Sequence, residues 1–441
     1  MDTKKLMCKA TEIYLLLFAS IHLLYIGFSG YSHIFEAKVL TFCVINILYL
    51  LSLIILFLIS ADRKDTNPFE SFKKHLFPAR FFAILYMLFA LISGALNSPV
   101  TFFGVSRFEG VFTISLYCLS FVAVSLFPCK KRYLTVVFSI SVSLSFALSA
   151  LQLMGYNPLS LYPDGMTFYD AGIKYTTAFT STIGNTNLVG AFICLALPFL
   201  TAILLKSKGW LRFLLFIPIL LMANTVLRMG VDSAILGLLA GIIIGIPFIF
   251  RFRKKHVIIY ISAIIILAIL GMIFIYNYSF DSGFLFEIRE ILHGRISDTF
   301  GSGRIRIWKN VLSEIPDSPI FGKGPDTMQL EKFPSFERYY PALGKVMKTG
   351  IDVAHNELLN VLYHQGIIGL ISYLGFIFFV LRDWWKNRND TVVLSLGISL
   401  ICYLVQSMFT FSMCLVAPYF WIAAGLVVGI SRENIKEPTL D

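Results

Sequence analysis

The most informative segment of the sequence reads GRIRIWKNVLSEI at 303–315, FGKGP at 321–325 and DVAHNELLNVLYHQGIIG at 352–369. Its first part is polar, with arginines and a tryptophan, and its last part is an apolar run. His355 and Asn356 stand where the apolar run begins. A polar stretch that ends against an apolar helix is typical of a loop that enters a membrane. We therefore interpret the rest of the chain as a membrane scaffold that positions this segment.

The composition excludes a soluble domain. Hydrophobic residues make up 57% of the 441 residues, charged residues make up 14%, and the mean hydropathy is +0.77. In a typical soluble domain about a quarter of the residues are charged. Apolar runs of about 20 residues recur, and in lipid each must close its own backbone hydrogen bonds as a helix. The sequence thus predicts an all-α polytopic membrane protein, with residues 1–441 forming a single membrane domain.

The apolar runs predict about 12 transmembrane helices. The long segment 278–353 separates the ninth from the tenth. None of the seven cysteines lies in that segment, so neither a disulfide framework nor a cysteine metal site is predicted. The predicted spans are 11–30, 37–60, 80–96, 110–127, 133–153, 187–205, 210–226, 233–250, 257–277, 356–381, 391–412 and 414–430.

Lysines and arginines are distributed unequally between the two ends of these spans. Of the 37 such residues, 23 fall in the termini and connectors on one side. The short loops on the other side hold only Lys38, Arg107, Lys174 and Arg228. The positive-inside rule then predicts that both termini are cytoplasmic and that segment 278–353 is extracytoplasmic. The net charge of +11 is a topology signal on this interpretation, and no nucleic-acid partner is predicted.

Segment 278–353 carries ten basic and ten acidic residues. A loop of this length without secondary structure is uncommon, and such loops are commonly functional. We predict two short helices in it, near Phe284–His293 and at Arg304–Ile315, where apolar residues recur at helical spacing. These helices are expected to lie against the outer membrane face, so that the segment forms a lid over the bundle. The FGKGP stretch is predicted to be only a turn.

His355 is the candidate general base. It follows Asp352 by three residues, and Asp352 is a candidate N-cap of the next helix. The positive end of that helix disfavours a charged imidazole, and a neutral imidazole is what a general base requires. Asp352 could also accept a hydrogen bond from one ring nitrogen and so leave the other free. The alternative is an interfacial histidine that tolerates the headgroup region.

Arginines supply the candidate anion site. Arg304 and Arg306 follow Gly301-Ser302-Gly303 at a predicted helix start, where free backbone N–H groups and two guanidinium groups would suit a diphosphate. Contacts with lipid headgroups are the alternative.

Two further arginines lie in the predicted outer loops. Arg228 either has a functional role or forms an ion pair with Asp232. In the same way, Arg107 either has a functional role or forms an ion pair with Glu109. The outer loops contain no DxD, HExxH or dense acidic cluster, so no metal is predicted.

These motifs resemble the O-antigen ligase and O-antigen polymerase family of bacterial envelope enzymes. GRIRIWKNVLSEIPDSPIFGKGP (303–325), followed by AHNELLNVLYHQGIIGLISYLGF (354–376), is similar to that family's loop-and-histidine signature. TSTIGNTNLVGAFICLALP (180–198) is similar to its segment entering a middle span, and VSRFEGV (105–111) to its short-loop arginine. The region 187–381 corresponds to an O-antigen ligase-like core.

The resemblance implies a metal-independent glycosyltransferase with a membrane-embedded, GT-C-like architecture and no cofactor. Its donor would be a glycan on undecaprenyl diphosphate, and its acceptor would be a hydroxyl of a glycan, lipid or protein. Transfer would occur on the outer face of the cytoplasmic (inner) membrane. The family's catalytic histidine maps onto His355, with Asp352 assigned beside it. The family's diphosphate-binding arginines map onto Arg107, Arg228 and Arg304. We assign Arg306 and Asn356 to the diphosphate beside them.

One stretch departs from the family pattern. The family often has Thr-x-Ser-Arg-Gly before an apolar helix, whereas this chain has TVLRMGVDSAILGLLAG at 225–241. Aligned from its threonine, the arginine is Arg228 and Leu227 replaces the serine. Aligned backwards from Ala234, Asp232 occupies the arginine position. The choice of Arg228 therefore stays open at this stage.

Ligase-like transfer in cell-surface polysaccharide biosynthesis is the leading interpretation. A repeat-unit polymerase or a protein O-oligosaccharyltransferase would share its chemistry. A transporter or flippase of polyprenyl-linked sugars is a further alternative. Because the charges cluster on one outer face and are not spread along the spans, an enzyme is favoured. The acceptor and the glycan structure are left open.

Overall fold

Most of the chain is helical in the computed structural model. The structure describes residues 3–61, 78–175, 177–331, 333–334, 336–340 and 345–436. Two small antiparallel hairpins, β1–β2 (Phe179–Thr180, Gly184–Asn185) and β3–β4 (Phe336–Tyr340, Lys345–Thr349), interrupt the helices. The helices of this part are α1 Thr3–Leu17, α2 Ile34–Ala61, α3 Pro78–Asn97, α4 Val111–Leu126, α5 Arg132–Gln152, α6 Ala171–Tyr175, α7 Thr186–Lys206, α8 Trp210–Met229, α9 Asp232–Ile249, α10 Lys254–Asn277, α11 Phe284–Leu292, α12 Phe300–Glu314, α13 Glu357–Asn387, α14 Thr391–Ser407 and α15 Ala417–Lys436.

Every predicted span overlaps one of these helices, although α1 ends at Leu17, well before the end of the predicted span 11–30. In the described part of the chain, 8 helical segments are long and apolar enough to cross a membrane, and these contain α2, α3, α5, α7, α8, α9, α10 and α13. Helices α4 and α14 are apolar but shorter. The all-α membrane class is therefore confirmed, whereas the number of twelve spans stays a prediction.

Small residues allow the central helices to approach closely. Helix α14 packs against α7 and α9, α13 packs against α3, and α15 packs against α4. Gly237, Gly241 and Gly245 line one side of α9, and a Cβ added at Gly241 would lie 2.0 Å from Cys402 Sγ of α14. Lipid tails are as apolar as the helices, so close van der Waals packing of this kind holds membrane helices together.

The described part of the segment between α10 and α13 is folded. Both predicted short helices are confirmed, as α11 and α12. The positive φ angles of Gly301, Ser302 and Gly303 place the start of the regular turns of α12 at Arg304. The β3–β4 hairpin was not predicted from the sequence. A small core joins α12 to the start of α13; its buried members are Ile307, Val311, Met328, Ile351, Ala354 and Tyr363.

Helix α13 is interrupted at Gly366, whose φ of 69° and ψ of −171° are not helical. Residues 318–324 dock at the interruption. Irregular backbone at membrane depth is tolerated only where protein covers it, so FGKGP is a docking segment and not only a turn. Three backbone hydrogen bonds close the junction: Lys323 N to Tyr363 O (2.9 Å), Gly324 N to His364 O (3.0 Å) and Ile367 N to Pro319 O (2.9 Å).

We expect Gly366→Ala to destabilise the protein. Its backbone conformation is essentially restricted to glycine, and an added Cβ would lie 2.2 Å from Ile320 O. The free energy of unfolding should fall by at least about 2 kcal/mol, measured as a lower Tm in detergent. Gly271→Ala in α10 is the matched control, because a Cβ there meets nothing within 4 Å. Equal melting temperatures for both variants would contradict the docking described above.

Candidate active site

The turn before α13 holds the candidate base. His355 is half-buried and has a left-handed φ of 49°. Its ring meets the Phe411 ring edge-on, with centroids 5.4 Å apart. Trp308 Nε1 donates a hydrogen bond to Ala354 O (2.9 Å), and Ala354 N donates one to Asn360 Oδ1 (3.0 Å). Helix α12 therefore fixes the turn that carries His355.

Asn356 is the N-cap of α13. Its Oδ1 accepts a hydrogen bond from Leu359 N (3.0 Å), so the prediction that Asp352 caps this helix is wrong. The helix begins at Glu357, which places Asp352 about a turn too early. Because the Asn356 oxygen caps the helix, its amide nitrogen is the group left to meet the predicted diphosphate.

Asp352 pairs with Arg107. Arg107 Nη2 donates to Asp352 Oδ2 at 2.6 Å. The guanidinium carbon of Arg107 lies 4.1 Å from the centroid of the Phe411 ring, a cation–π contact. Phe411 thus contacts both Arg107 and His355, although the three come from distant parts of the chain. Two predicted site residues are therefore brought together by an aromatic residue that the sequence analysis missed.

Asp326, which the sequence analysis also missed, holds the backbone around Arg107. Its Oδ2 accepts hydrogen bonds from Ser106 N (3.1 Å) and Arg107 N (2.9 Å), and its Oδ1 accepts one from Ser106 Oγ (3.1 Å). Gly104 permits this approach, since a Cβ there would lie 2.2 Å from Asp326 Oδ2. A carboxylate of segment 278–353 thereby positions an arginine of another loop. An aspartate after a Gly-Pro turn was the only signal for it in the sequence.

A cavity of ≈ 60 Å³ lies beside this cluster, lined in part by Arg107, Glu109, Asp352 and Glu357. This volume suits a few water molecules and not a sugar. Burial raises the pKa of the Glu109 carboxyl well above its usual range; the hydrogen bond from Tyr117 opposes this, and nearby carboxylates add to it. Among the ion pairs of the described residues Arg107 is joined to Asp352 and not to Glu109, so the alternative pairing of Arg107 with Glu109 is wrong.

Arg304 and Arg306 lie on different sides of α12. Residues four apart on a helix are neighbours, whereas residues two apart are not. Arg304 therefore shares a face with Trp308, which contacts the His355 turn. Arg306 lies near Asp298, with its Nε 4.0 Å from Asp298 Oδ2. The face of α12 that contacts the turn carries Arg304.

The glycine-rich start of α12 is not the open anion cradle that we predicted. Gly301 N donates to Glu287 Oε2 (2.9 Å), and Gly303 N donates to Thr299 O (2.9 Å). Two N–H groups expected to be free thus have partners, because the left-handed turn folds back on the preceding residues. A phosphate at this end of α12 must rely on side chains.

Arg228 lies at the end of α8, where its Nη2 donates to Leu153 O (2.8 Å). The alternative pairing with Asp232 does not occur among the ion pairs of the described residues. The ends of α5 and α8 are at the same end of the bundle as segment 278–353. This hydrogen bond joins Arg228 to the end of α5 and not to Arg107 or His355.

The described residues contain no group of three or more His, Cys, Asp or Glu side chains that could hold a metal ion. The fold defines the class: a polytopic helical membrane protein whose candidate site lies where a folded loop meets the helix ends.

Comparison with known proteins then gives the family. Residues 217–374 match the family model described as O-Antigen ligase. The match confirms the predicted resemblance to the O-antigen ligase family over this part of the chain. The match is evidence for glycan transfer in polysaccharide biosynthesis. It indicates a glycosyltransferase-like enzyme that is integral to the membrane. The matched region includes His355 and Arg304, and Arg107 lies outside it. No curated protein matches the chain at a significant level.

Proposed function

We propose that the protein transfers a glycan from undecaprenyl diphosphate to an acceptor hydroxyl, without a metal ion. One observation carries this proposal: Arg107 and His355 both contact Phe411. A guanidinium group that can bind a diphosphate and an imidazole that can accept a proton therefore lie on either side of the same aromatic ring.

In the proposed reaction, His355 takes the proton of the acceptor hydroxyl. The hydroxyl oxygen forms a bond to the anomeric carbon of the donor, and the bond from that carbon to the diphosphate oxygen breaks. The diphosphate departs with the bonding electron pair. Arg107 stabilises this developing charge from a position fixed before the reaction, which is where electrostatic catalysis is most effective.

Arg107 has donors left for the leaving group. Nη2 bonds to Asp352, Nη1 makes a weak 3.6 Å contact with Met413 Sδ, and the buried Nε has no hydrogen-bond partner among the described residues. A buried donor without a partner costs free energy, and a diphosphate oxygen would recover it. We assign Asp352 the role of holding Arg107 in place before the donor binds.

Arg304 is the second proposed diphosphate ligand, because it shares a face of α12 with Trp308. Arg228, Arg306 and Asn356 are retained as further proposed ligands. The family resemblance supports Arg228, and the support for Arg306 and Asn356 is their position at this end of the bundle.

We also propose that both termini are cytoplasmic and that the site is extracytoplasmic, on the basis of the positive-inside rule. A cysteine at exposed Ser313 of α12 should react with a membrane-impermeant maleimide in intact spheroplasts. A cysteine at exposed Asn389, at the opposite end of the bundle, should react only after lysis. The native cysteines are buried or half-buried, so labelling of the parent protein gives the background. The reverse pattern would overturn the orientation.

Ligase-type transfer is the form of the reaction that we favour, with a repeat-unit polymerase and a protein O-oligosaccharyltransferase as family alternatives. The test is mass spectrometry of polyprenyl-linked and mature glycans in cells with and without the protein. Loss of the protein should leave long glycans on the polyprenyl carrier. Accumulated single repeats would indicate a polymerase, and an unglycosylated protein with normal polysaccharide would indicate protein transfer. Loss of mature glycans with the donor retained on the inner leaflet would indicate a flippase and refute the proposal.

A further inference from the structure

A second cavity lies at the end of the bundle opposite to segment 278–353. It has a volume of ≈ 1200 Å³ and lies between α9, α10 and the junction of α13 with α14. Helix α10 begins here at Lys254 and ends at that segment, and α13 runs back from the segment to end here at Asn387. We call this space the basal cavity. It shares no lining residue with the cavity beside Arg107.

Cations dominate the polar lining of the basal cavity. Its one lining carboxylate, Asp390, already accepts hydrogen bonds from Lys130 Nζ (2.5 Å) and Val392 N (2.8 Å). None of the ion pairs within the described part of the chain involves the lining cations. Such a cluster attracts an anion. The lining cations are Lys206, Arg251, Lys254, Lys386 and Arg388.

The remaining wall is apolar and aromatic. Pro247 and Val257 line it from α9 and α10, and Trp385 lines it from the end of α13. Arg388 stacks on Trp385, with its guanidinium carbon 4.4 Å from the ring centroid. Helix α10 has no buried residue, so its apolar surface is open to lipid chains. Tryptophan and arginine together are typical of the level of the membrane at which headgroups lie.

We infer that the basal cavity binds an anionic phospholipid, with its phosphate on the cations and its acyl chains along α9 and α10. A soluble anion would leave the apolar wall uncovered, and a zwitterionic lipid would not neutralise the cations. Basic pockets between membrane helices recognise anionic headgroups in this way. The lipid would also brace α10, the helix that leads into segment 278–353. This inference is independent of the proposed glycan transfer.

The test uses the full-length protein in nanodiscs and titrates phosphatidylglycerol or phosphatidylcholine, with bound lipid counted by native mass spectrometry. The parent should prefer phosphatidylglycerol. Lys254→Gln combined with Lys386→Gln should weaken its binding roughly 25-fold, or roughly fivefold for each cation removed. Lys208→Gln combined with Arg212→Gln is the matched control, since both are exposed at the same end and outside the cavity. That control should change binding by less than about twofold.

Three outcomes would overturn the inference. The parent could bind both lipids equally, or the control pair could weaken binding as much as the cavity pair, which would indicate a diffuse surface charge. Full displacement of the lipid by millimolar inorganic phosphate would indicate a soluble anion site. An unchanged Tm for both double variants in detergent shows that any difference in lipid binding does not reflect misfolding.

Discussion

Replacing His355 with alanine is expected to reduce glycan transfer by about two to four orders of magnitude, the range for a lost general base. The imidazole is half-buried and meets Phe411 edge-on, so its removal should cost little packing. The measurement is single-turnover transfer from a lipid-linked donor by the purified protein. Membrane level and Tm should match those of the parent.

His33→Ala is the matched control for this variant. His33 is exposed and pairs only with the exposed Glu36 in the ion pairs of the described residues, so the change should leave transfer intact. His355→Ala should still bind the donor nearly as well as the parent, because the diphosphate contacts remain. A His355→Ala protein with full transfer would remove the proposed base and favour the interfacial alternative.

Arg107→Lys is expected to lower kcat/KM for the donor by about 10²- to 10³-fold, the cost of losing one oriented donor to a developing anion. Lysine keeps the charge but lacks the planar guanidinium group. In the parent that group donates to Asp352, lies over the Phe411 ring and has an Nε that is available to the diphosphate. Arg212→Lys, at an exposed position on the opposite end of the bundle, is the control. Equal kinetics for the parent and Arg107→Lys would show that this arginine does not act on the leaving group.

Asp326→Asn gives a companion prediction, because Asp326 is proposed to act through Arg107. Both carboxylate oxygens of Asp326 accept hydrogen bonds from Ser106 or Arg107, whereas asparagine has only one oxygen, so some of these bonds are lost. Donor KM should rise by a larger factor than kcat falls, because Asp326 acts through the position of Arg107 and does not touch the acceptor. Adding Asp326→Asn to Arg107→Lys should cause little further loss, since the two changes share one mechanism. Fully additive effects would indicate a general structural role instead.

Some features of the site could be predicted from sequence because they are local. The helix at Arg304–Ile315 is confirmed because its apolar spacing depends on neighbours three and four residues apart. The identity of the α13 cap was local too, yet the prediction failed. It placed the helix start at Asp352, whereas the helix begins at Glu357 and Asn356 is the cap.

Other features could not be predicted because they depend on long-range contacts. Nothing near Phe411 in the sequence marks it as the residue between Arg107 and His355. The role of Asp326 depends on a loop that lies far from it in the chain. The interruption at Gly366 also depends on a distant segment, because residues 318–324 form the backbone hydrogen bonds with the residues on either side of it.

The membrane class, most of the helix positions and the resemblance to O-antigen ligases could be predicted from the sequence alone, because apolar runs and short motifs act within about 20 residues. Packing in three dimensions sets which polar groups meet. It paired Arg107 with Asp352 and gave Arg304 the face of α12 that meets the His355 turn. The physical reason is that a buried charge takes the partner that packing brings within hydrogen-bond distance, however far that partner lies along the chain.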